Sequence, residues 1–224
     1  MRQLTNSLVD WRRADTLLLD MDGTLLDLSF DTYFWLTVLP AAYAASVGKS
    51  LDEVADYLGG LFTRHRGTLN WYAVDFWSAE LSLDVMALQR QHAERIGYLD
   101  GAPEFLAAAR AAGKRCVMVT NADRNTLQLK DQRTGVTESF DDVVSSHDFG
   151  MPKEQPGFWR AFCDQYDVVP DNALFIDDTA TVLQSAVDFG IGQVLAIAQP
   201  DSKAAVREIQ GFAAVRGVVE LITA

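Results

Sequence analysis

Asp20 and Asp22 stand two residues apart at the end of an apolar run, Thr16-Leu17-Leu18-Leu19, and Gly23 and Thr24 follow them. A short apolar run bounded by a turn signal reads as a buried strand, and in an extended segment residues i and i+2 project to the same side. The spacing therefore aims two carboxylates at one spot, with Gly23 free to turn the backbone sharply behind them. Side by side they repel each other unless a cation joins them. A hard divalent ion such as Mg²⁺ suits a site that offers few carboxylates and leaves room for a substrate phosphate. In that setting Asp20 can attack phosphorus and carry an aspartyl phosphate. Asp22 can give a proton to the leaving oxygen and later take one from water.

Three further stretches supply matching chemistry. Cys116-Val117-Met118-Val119 leads into Thr120 and Asn121, a hydroxyl and an amide that can hold phosphate oxygens together with nearby backbone N–H groups. Lys153 falls in a loop downstream, where its ammonium suits a transferring phosphoryl group and the nucleophile beside it. Leu174-Phe175-Ile176 ends in Asp177 and Asp178, so the candidate metal set is Asp20, Asp22, Asp177 and Asp178, with the direct ligand among the last two left open. Each stretch alone has a plainer role. Asp20 and Asp22 could be a solvated turn, Thr120-Asn121 and Asp177-Asp178 helix caps, and Lys153 a surface lysine. Three separate strands that all end in the required chemistry, in the required order, favour the catalytic reading.

Asp-x-Asp-Gly-Thr at 20–24, Thr120-Asn121, Lys153 and Asp177-Asp178 resemble, in that order, the four signature motifs of the haloacid dehalogenase superfamily. The resemblance implies Mg²⁺ as cofactor, catalytic roles for Asp20, Asp22, Thr120 and Lys153, and phosphate contacts from Thr120, Asn121 and Lys153. One departure concerns the lysine loop, where Pro152 precedes Lys153 and Glu154 follows it, in place of the proline frequent in the family. A closer likeness is carried by residues 19–35, Thr68-Leu69-Asn70-Trp71-Tyr72, Asp75-Phe76-Trp77 and Phe149-Gly150-Met151-Pro152-Lys153-Glu154. These are similar to the bacterial GMP/IMP nucleotidases of the superfamily, which implies a purine nucleoside 5′-monophosphate as small-molecule substrate and hydrolysis to nucleoside and phosphate. Trp35, Arg64, Arg66, Asn70, Trp71 and Tyr72 are the candidates for contacting the base. The rival functions are a phosphosugar phosphatase or mutase with the same core motifs, and a non-enzymatic binding protein of the same fold. A hydrolytic dehalogenase fits less well, because it gives Asp22 no task.

The elements that must position these residues follow from the patterning. Strands are expected at Thr16 to Leu19, Arg115 to Thr120, Asp142 to Ser145, Ala173 to Ile176 and Gln193 to Ala198. Helices are expected at Pro103 to Ala112, Asn125 to Arg133, Pro156 to Tyr166 and Thr179 to Phe189. Such alternation indicates an α/β protein, a Rossmann-like doubly wound parallel sheet covered by helices on both faces, formed by residues 1–26 and 99–224. Ligands of such sheets sit beyond the carboxyl ends of the strands, where every motif residue falls. Residues 27–98 show helical patterning and no strand signal. Helices are expected at Phe30 to Ala45, from the capping box Ser50-Leu51-Asp52-Glu53 to about His65, at Asn70 to Leu81 and at Asp84 to Ile96. Their aromatics pack a helical bundle or stack a base. This insertion resembles the cap domain that many superfamily members place over the active site. Hinges near Leu26 to Ser29 and Tyr98 to Ala102 would let it close and expel water.

Composition sets the remaining bounds. The chain has 224 residues, 49% hydrophobic and 22% charged, enough for a sizeable core. A formal net charge of −12 argues against nucleic-acid polymers and anionic membranes as partners, since both are met with basic patches. An anionic substrate must then be drawn in locally by a metal and a few Lys or Arg side chains. Met1 to Ala14 lacks the apolar core of a signal peptide, and no run approaches a membrane span, so a cytoplasmic location is expected. Cys116 and Cys163 read as small buried hydrophobes. His65, His92 and His147 lack the spacing of a zinc site.

Overall fold

The computed structural model describes residues 2–223. Six strands, β1 (Thr16–Leu19), β2 (Arg115–Thr120), β3 (Asp142–Ser145), β4 (Ala173–Asp177), β5 (Gln193–Ile197) and β6 (Ala214–Val215), form one sheet in the order β3-β2-β1-β4-β5-β6. All neighbours are parallel. Such strands are covered on both faces and so need continuous apolar runs rather than alternating ones, which is how β1, β2 and β4 read. Strand order reverses at β1. Leu19 lies opposite Met118 on one side and Ile176 on the other, so the three strands deliver their next residues to a common edge.

The helices divide between the sheet and the segment inserted after β1. Within that segment lie α1 (Ser29–Tyr33), α2 (Leu39–Val47), α3 (Leu51–His65), α4 (Leu69–Tyr72), α5 (Val74–Leu81) and α6 (Val85–Gln91). The sheet is flanked by α7 (Ala102–Ala111), α8 (Arg124–Thr134), α9 (Pro156–Gln165) and α10 (Ala180–Phe189). Side-chain alternation sorts the strands into two cores. Leu17, Leu19, Cys116, Met118 and Ile176 meet Phe105 and Ala109 of α7 and Leu127 of α8 on one face. Leu18, Val117, Val119 and Phe175 meet Trp159 and Phe162 of α9 and Leu183 and Ala186 of α10 on the other. A third core is purely helical, built from Phe34, Leu39, Leu58, Leu61, Val74, Trp77 and Val85.

The inserted segment enters and leaves side by side. Leu26 bridges Tyr98 in antiparallel fashion, Asp27 N–H donates to Gly97 O at 2.9 Å, and Leu99 N–H donates to Leu25 O at 2.8 Å.

Three helical expectations need correction. The helix expected over Phe30 to Ala45 contains a π-helical stretch, Phe34–Val38, because Pro40 has no N–H for the carbonyl one turn back and its ring crowds that carbonyl. The helix expected over Asn70 to Leu81 breaks at Ala73, whose backbone is extended at φ −93°, ψ 109°. There the Val74 N–H is claimed by the Asp123 carboxylate at 2.6 Å. The helix expected over Asp84 to Ile96 ends at Gln91 and gives way to a 3₁₀ turn, Ala93–Arg95. No helix among the described residues is long and apolar enough to cross a membrane.

Candidate active site

Asp20 follows β1 directly and continues its ladder by donating its N–H to Ile176 O at 3.0 Å. The chain then turns at Gly23, where φ is +84° and an added Cβ would lie 2.8 Å from Pro200 Cβ and 2.9 Å from Asp178 Cγ. Only glycine fits both that backbone and that space. The turn brings the loop after β1 against the end of β4.

Lys153 joins these strands. Its Nζ, 2% exposed, donates to Asp20 Oδ1 at 2.6 Å, Asp177 Oδ2 at 2.7 Å and Val119 O at 2.9 Å, so all three ammonium protons are used. Its backbone is pinned too: the N–H donates to Asn121 Oδ1 at 2.9 Å, and the carbonyl accepts from Trp159 Nε1 at 2.8 Å. Asp177 Oδ1 accepts the Thr179 N–H at 2.7 Å. Asp178 instead accepts from Thr179 Oγ1 at 3.2 Å and Arg207 Nη2 at 3.0 Å. Thr120 Oγ1 accepts the Ala122 N–H at 3.0 Å, which leaves its hydroxyl proton to donate.

Charge is unbalanced here. Burial pushes the Asp20 carboxyl well above the usual carboxylate range, Lys153 opposes this, and Asp177, Asp178 and Asp22 add to it. Burial, followed by Asp177, pushes Asp178 up to about 6, with Arg207 pulling the other way. Lys153 moves up as well, because Asp177 and Asp20 outweigh the burial that disfavours its charge. Upward shifts on both partners of one ion pair look contradictory, but one lysine shared among several acids is itself oversupplied and leaves each acid undersupplied. Asp20, Asp177 and Asp178 each present one oxygen within 4.8 Å of the others. An excess of buried oxygen anions converging in this way fits a hard divalent cation.

Asp22 stands apart from that trio. Its Oδ1 accepts from Lys130 Nζ at 2.6 Å, and the same ammonium donates to Asp31 Oδ1 and Oδ2 at 2.9 and 2.8 Å. Burial pushes the Asp31 carboxyl up to about 6, against the pull of Lys130. Burial also disfavours the Lys130 charge, but Asp22 and Asp31 outweigh it and hold that group above the usual lysine range.

Of the residues proposed to contact a base, Tyr72 alone is tied to the edge of the sheet. Its hydroxyl donates to Glu154 Oε1 at 2.7 Å, and Glu154 Oε2 accepts from Asn121 Nδ2 at 3.0 Å. Trp35 packs on Phe34, Phe62 and Trp77, and Trp71 on Phe62 and Trp77, edge to face with ring centres 5.3 to 6.2 Å apart. Arg64, Arg66 and Asn70 are exposed, with the Arg66 guanidinium 6.0 Å from the Trp71 ring centre. Lys130, Asp31, Asp123 and Arg207 escaped the sequence reading. Lys130 had a signal, since it shares the inner face of α8 with Thr126 and Leu127, four and three residues back. Arg207 lies in an irregular segment and had none.

A model of the haloacid dehalogenase-like hydrolases matches residues 14–190. Among characterised proteins, the GMP/IMP nucleotidase YrfG of Escherichia coli (strain K12) is 38% identical over 202 residues, covering 90% of this chain and 91% of that protein. The N-acetylmuramic acid 6-phosphate phosphatase of Pseudomonas aeruginosa is 29% identical, over 80% and 79% of the two chains. The fold also matches a solved phosphatase from Thermococcus onnurineus with a TM-score of 0.75 at 20% identity, over 92% of this chain and 95% of that one.

Proposed function

Because the chain belongs to the haloacid dehalogenase-like hydrolases, we propose that it is a Mg²⁺-dependent phosphomonoester hydrolase that works through an aspartyl phosphate and acts on purine nucleoside 5′-monophosphates, GMP and IMP. The observation that carries the reading is Lys153. It clamps Asp20 by one oxygen at the end of β1, while Asp20 Oδ2 accepts no hydrogen bond from any described residue. That oxygen is the nucleophile. It attacks phosphorus, the bond from phosphorus to the nucleoside oxygen breaks, and Asp22 gives that oxygen a proton. Water then attacks phosphorus, the bond to Asp20 breaks, Asp22 takes the water proton, and phosphate leaves.

The phosphate oxygens are held by the Thr120 hydroxyl and the amide N–H of Asn121 that Glu154 does not use, while the Lys153 ammonium, its three protons engaged, attracts them through its charge. Asp20 and Asp178 would hold Mg²⁺ with the Asp22 backbone oxygen, since Asp177 is held more tightly, its two oxygens accepting from Lys153 Nζ and the Thr179 N–H at 2.7 Å each, against 3.0 and 3.2 Å for the contacts to Asp178. The bound ion supplies positive charge that lets an anionic carboxylate approach an anionic ester. Residues 27–98 serve as the cap, a role supported by their own helical core and by the paired connectors at Leu26 and Tyr98. Tyr72 is the favoured contact to substrate within it. The purine preference rests on the likeness to YrfG.

A panel of nucleoside monophosphates, sugar phosphates and p-nitrophenyl phosphate tests this. GMP and IMP should show the highest kcat/KM, and a sugar phosphate outperforming every purine nucleotide would end the nucleotidase reading. Asp20→Asn should cut kcat by roughly 10³-fold or more, about 4 kcal/mol of barrier. A variant that retained a tenth of the turnover would remove Asp20 as nucleophile.

A further inference from the structure

Lys130 takes no part in the chemistry above, yet it is among the most deeply buried charges of the protein, at 1% exposure. Its Nζ lies on α8, between Asp22 from the loop after β1 and Asp31 from α1, with the Phe30 ring centre 5.7 Å away. Burying an ammonium is costly unless carboxylates use its protons. An apolar side chain of the same volume would fill this space at lower cost, so the charge calls for a role besides packing. Asp22 supplies one. Its side chain is 22% exposed, free to change rotamer unless something holds it, whereas proton transfer needs an oxygen kept within hydrogen-bond reach of the reacting atom.

We propose that Lys130, anchored by Asp31, is the positioning residue for Asp22: it grips Oδ1 and presents Oδ2 as the oxygen that exchanges the proton. Oδ2 accepts no hydrogen bond from any described residue. The inference rests on the phosphatase reading for the task of Asp22 and adds two residues that none of the four signature motifs contains. The tether matters only where the departing oxygen needs a proton. A nucleoside alkoxide does, and p-nitrophenolate does not.

Two variants test it, Lys130→Met and the double variant Lys130→Met/Asp31→Leu. The second removes both buried charges and keeps the fold accessible should the first be too unstable, because apolar replacement of a buried ion pair is often neutral or stabilising. Both should lose roughly 10- to 100-fold in kcat on GMP, the size of effect that misplacement of a reacting group produces. On p-nitrophenyl phosphate they should lose less than about threefold, with KM for either ester little changed. If the two esters fall in step, or if the folded double variant keeps the wild-type ratio, Lys130 is a structural charge and the proposal is overturned. Wild-type turnover is read first, and its absence would end the phosphatase reading alone. A crystal structure of the double variant decides the tether without activity: Asp22 should leave the conformation described here, and an unmoved Asp22 overturns the proposal.

Discussion

Helix α5 begins at Val74 with no help from its own sequence, because Ala73 in the capping position has no side chain that can accept a hydrogen bond. The acceptor comes from the sheet. Asp123 Oδ2 takes the Val74 N–H at 2.6 Å, while Oδ1 takes the Asn125 and Thr126 N–H groups at 2.8 and 2.9 Å and caps α8. Asp123→Ala removes both functions. Loss of the local cap is worth about 1 kcal/mol, and loss of a buried hydrogen bond to a charged acceptor about 1.5 to 3 kcal/mol. One carboxylate serves both ends, so the two terms overlap, and the expected loss is about 3 kcal/mol. For a chain of this size that is about 6 to 12 °C in Tm. Urea unfolding of the wild type, Asp123→Ala and Asp123→Asn measures it, with the Asn variant expected in between because an amide oxygen still accepts at one position. Amide exchange separates the two functions, since the Val74 N–H should exchange at least tenfold faster in the Ala variant, about 1.4 kcal/mol of lost local protection. An Ala variant within about 0.5 kcal/mol of wild type, with Val74 exchange unchanged, would refute the claim that the sheet caps a helix of the inserted segment.

Mg²⁺ affinity should depend on pH in a direction set by Asp178. Mg²⁺ would bind the deprotonated carboxylate, and burial beside Asp177 holds that group up at about 6. Affinity should therefore climb with pH by at least about tenfold per unit below about 6, Asp20 adding to the slope because burial raises its carboxyl as well, with protons released on binding. Calorimetry in buffers of different ionisation heat reads both quantities, and a flat affinity from pH 5 to pH 7 would count against the assignment. Trp71 packs edge to face on Phe62 and Trp77, so Trp71→Ala should lower Tm and depress GMP and p-nitrophenyl phosphate turnover together. A loss of roughly 5- to 150-fold confined to GMP, the worth of one stacked base, would instead make that ring the purine platform.

What the amino-acid order revealed, and what it hid, follows a physical division. β1, β2 and β4 were legible because strands buried on both faces require unbroken apolar runs, and the acids, hydroxyl and amide that end those runs stood out against them. Partners chosen across the fold were not. Lys130 meets Asp22 and Asp31 from 108 and 99 residues away, and no local pattern records such a distance. The break at Ala73 is likewise imposed by Asp123, 49 residues beyond Val74, against a local periodicity that continues straight through. β6 spans two residues, too few for any periodicity to register. Glu154 was visible as a departure from the family pattern, but its link between Tyr72 and Asn121 exists only once the helical segment lies on the sheet.

The adjacency of Leu26 and Tyr98 bears on how such a chain could be acquired and folded. Thr16 pairs with Arg115, and the helical segment roughly quadruples the loop that this pairing must close. Closure entropy grows only with the logarithm of loop length, so the lengthening costs about 1 kcal/mol. Because the two connectors meet edge to edge, a folded segment presents the sheet with ends already side by side, and even that cost shrinks. The position after the first motif is therefore a tolerant graft point. Helices there can be lengthened, exchanged or diversified over evolutionary time while strand pairing, and the acids at its edge, stay in register.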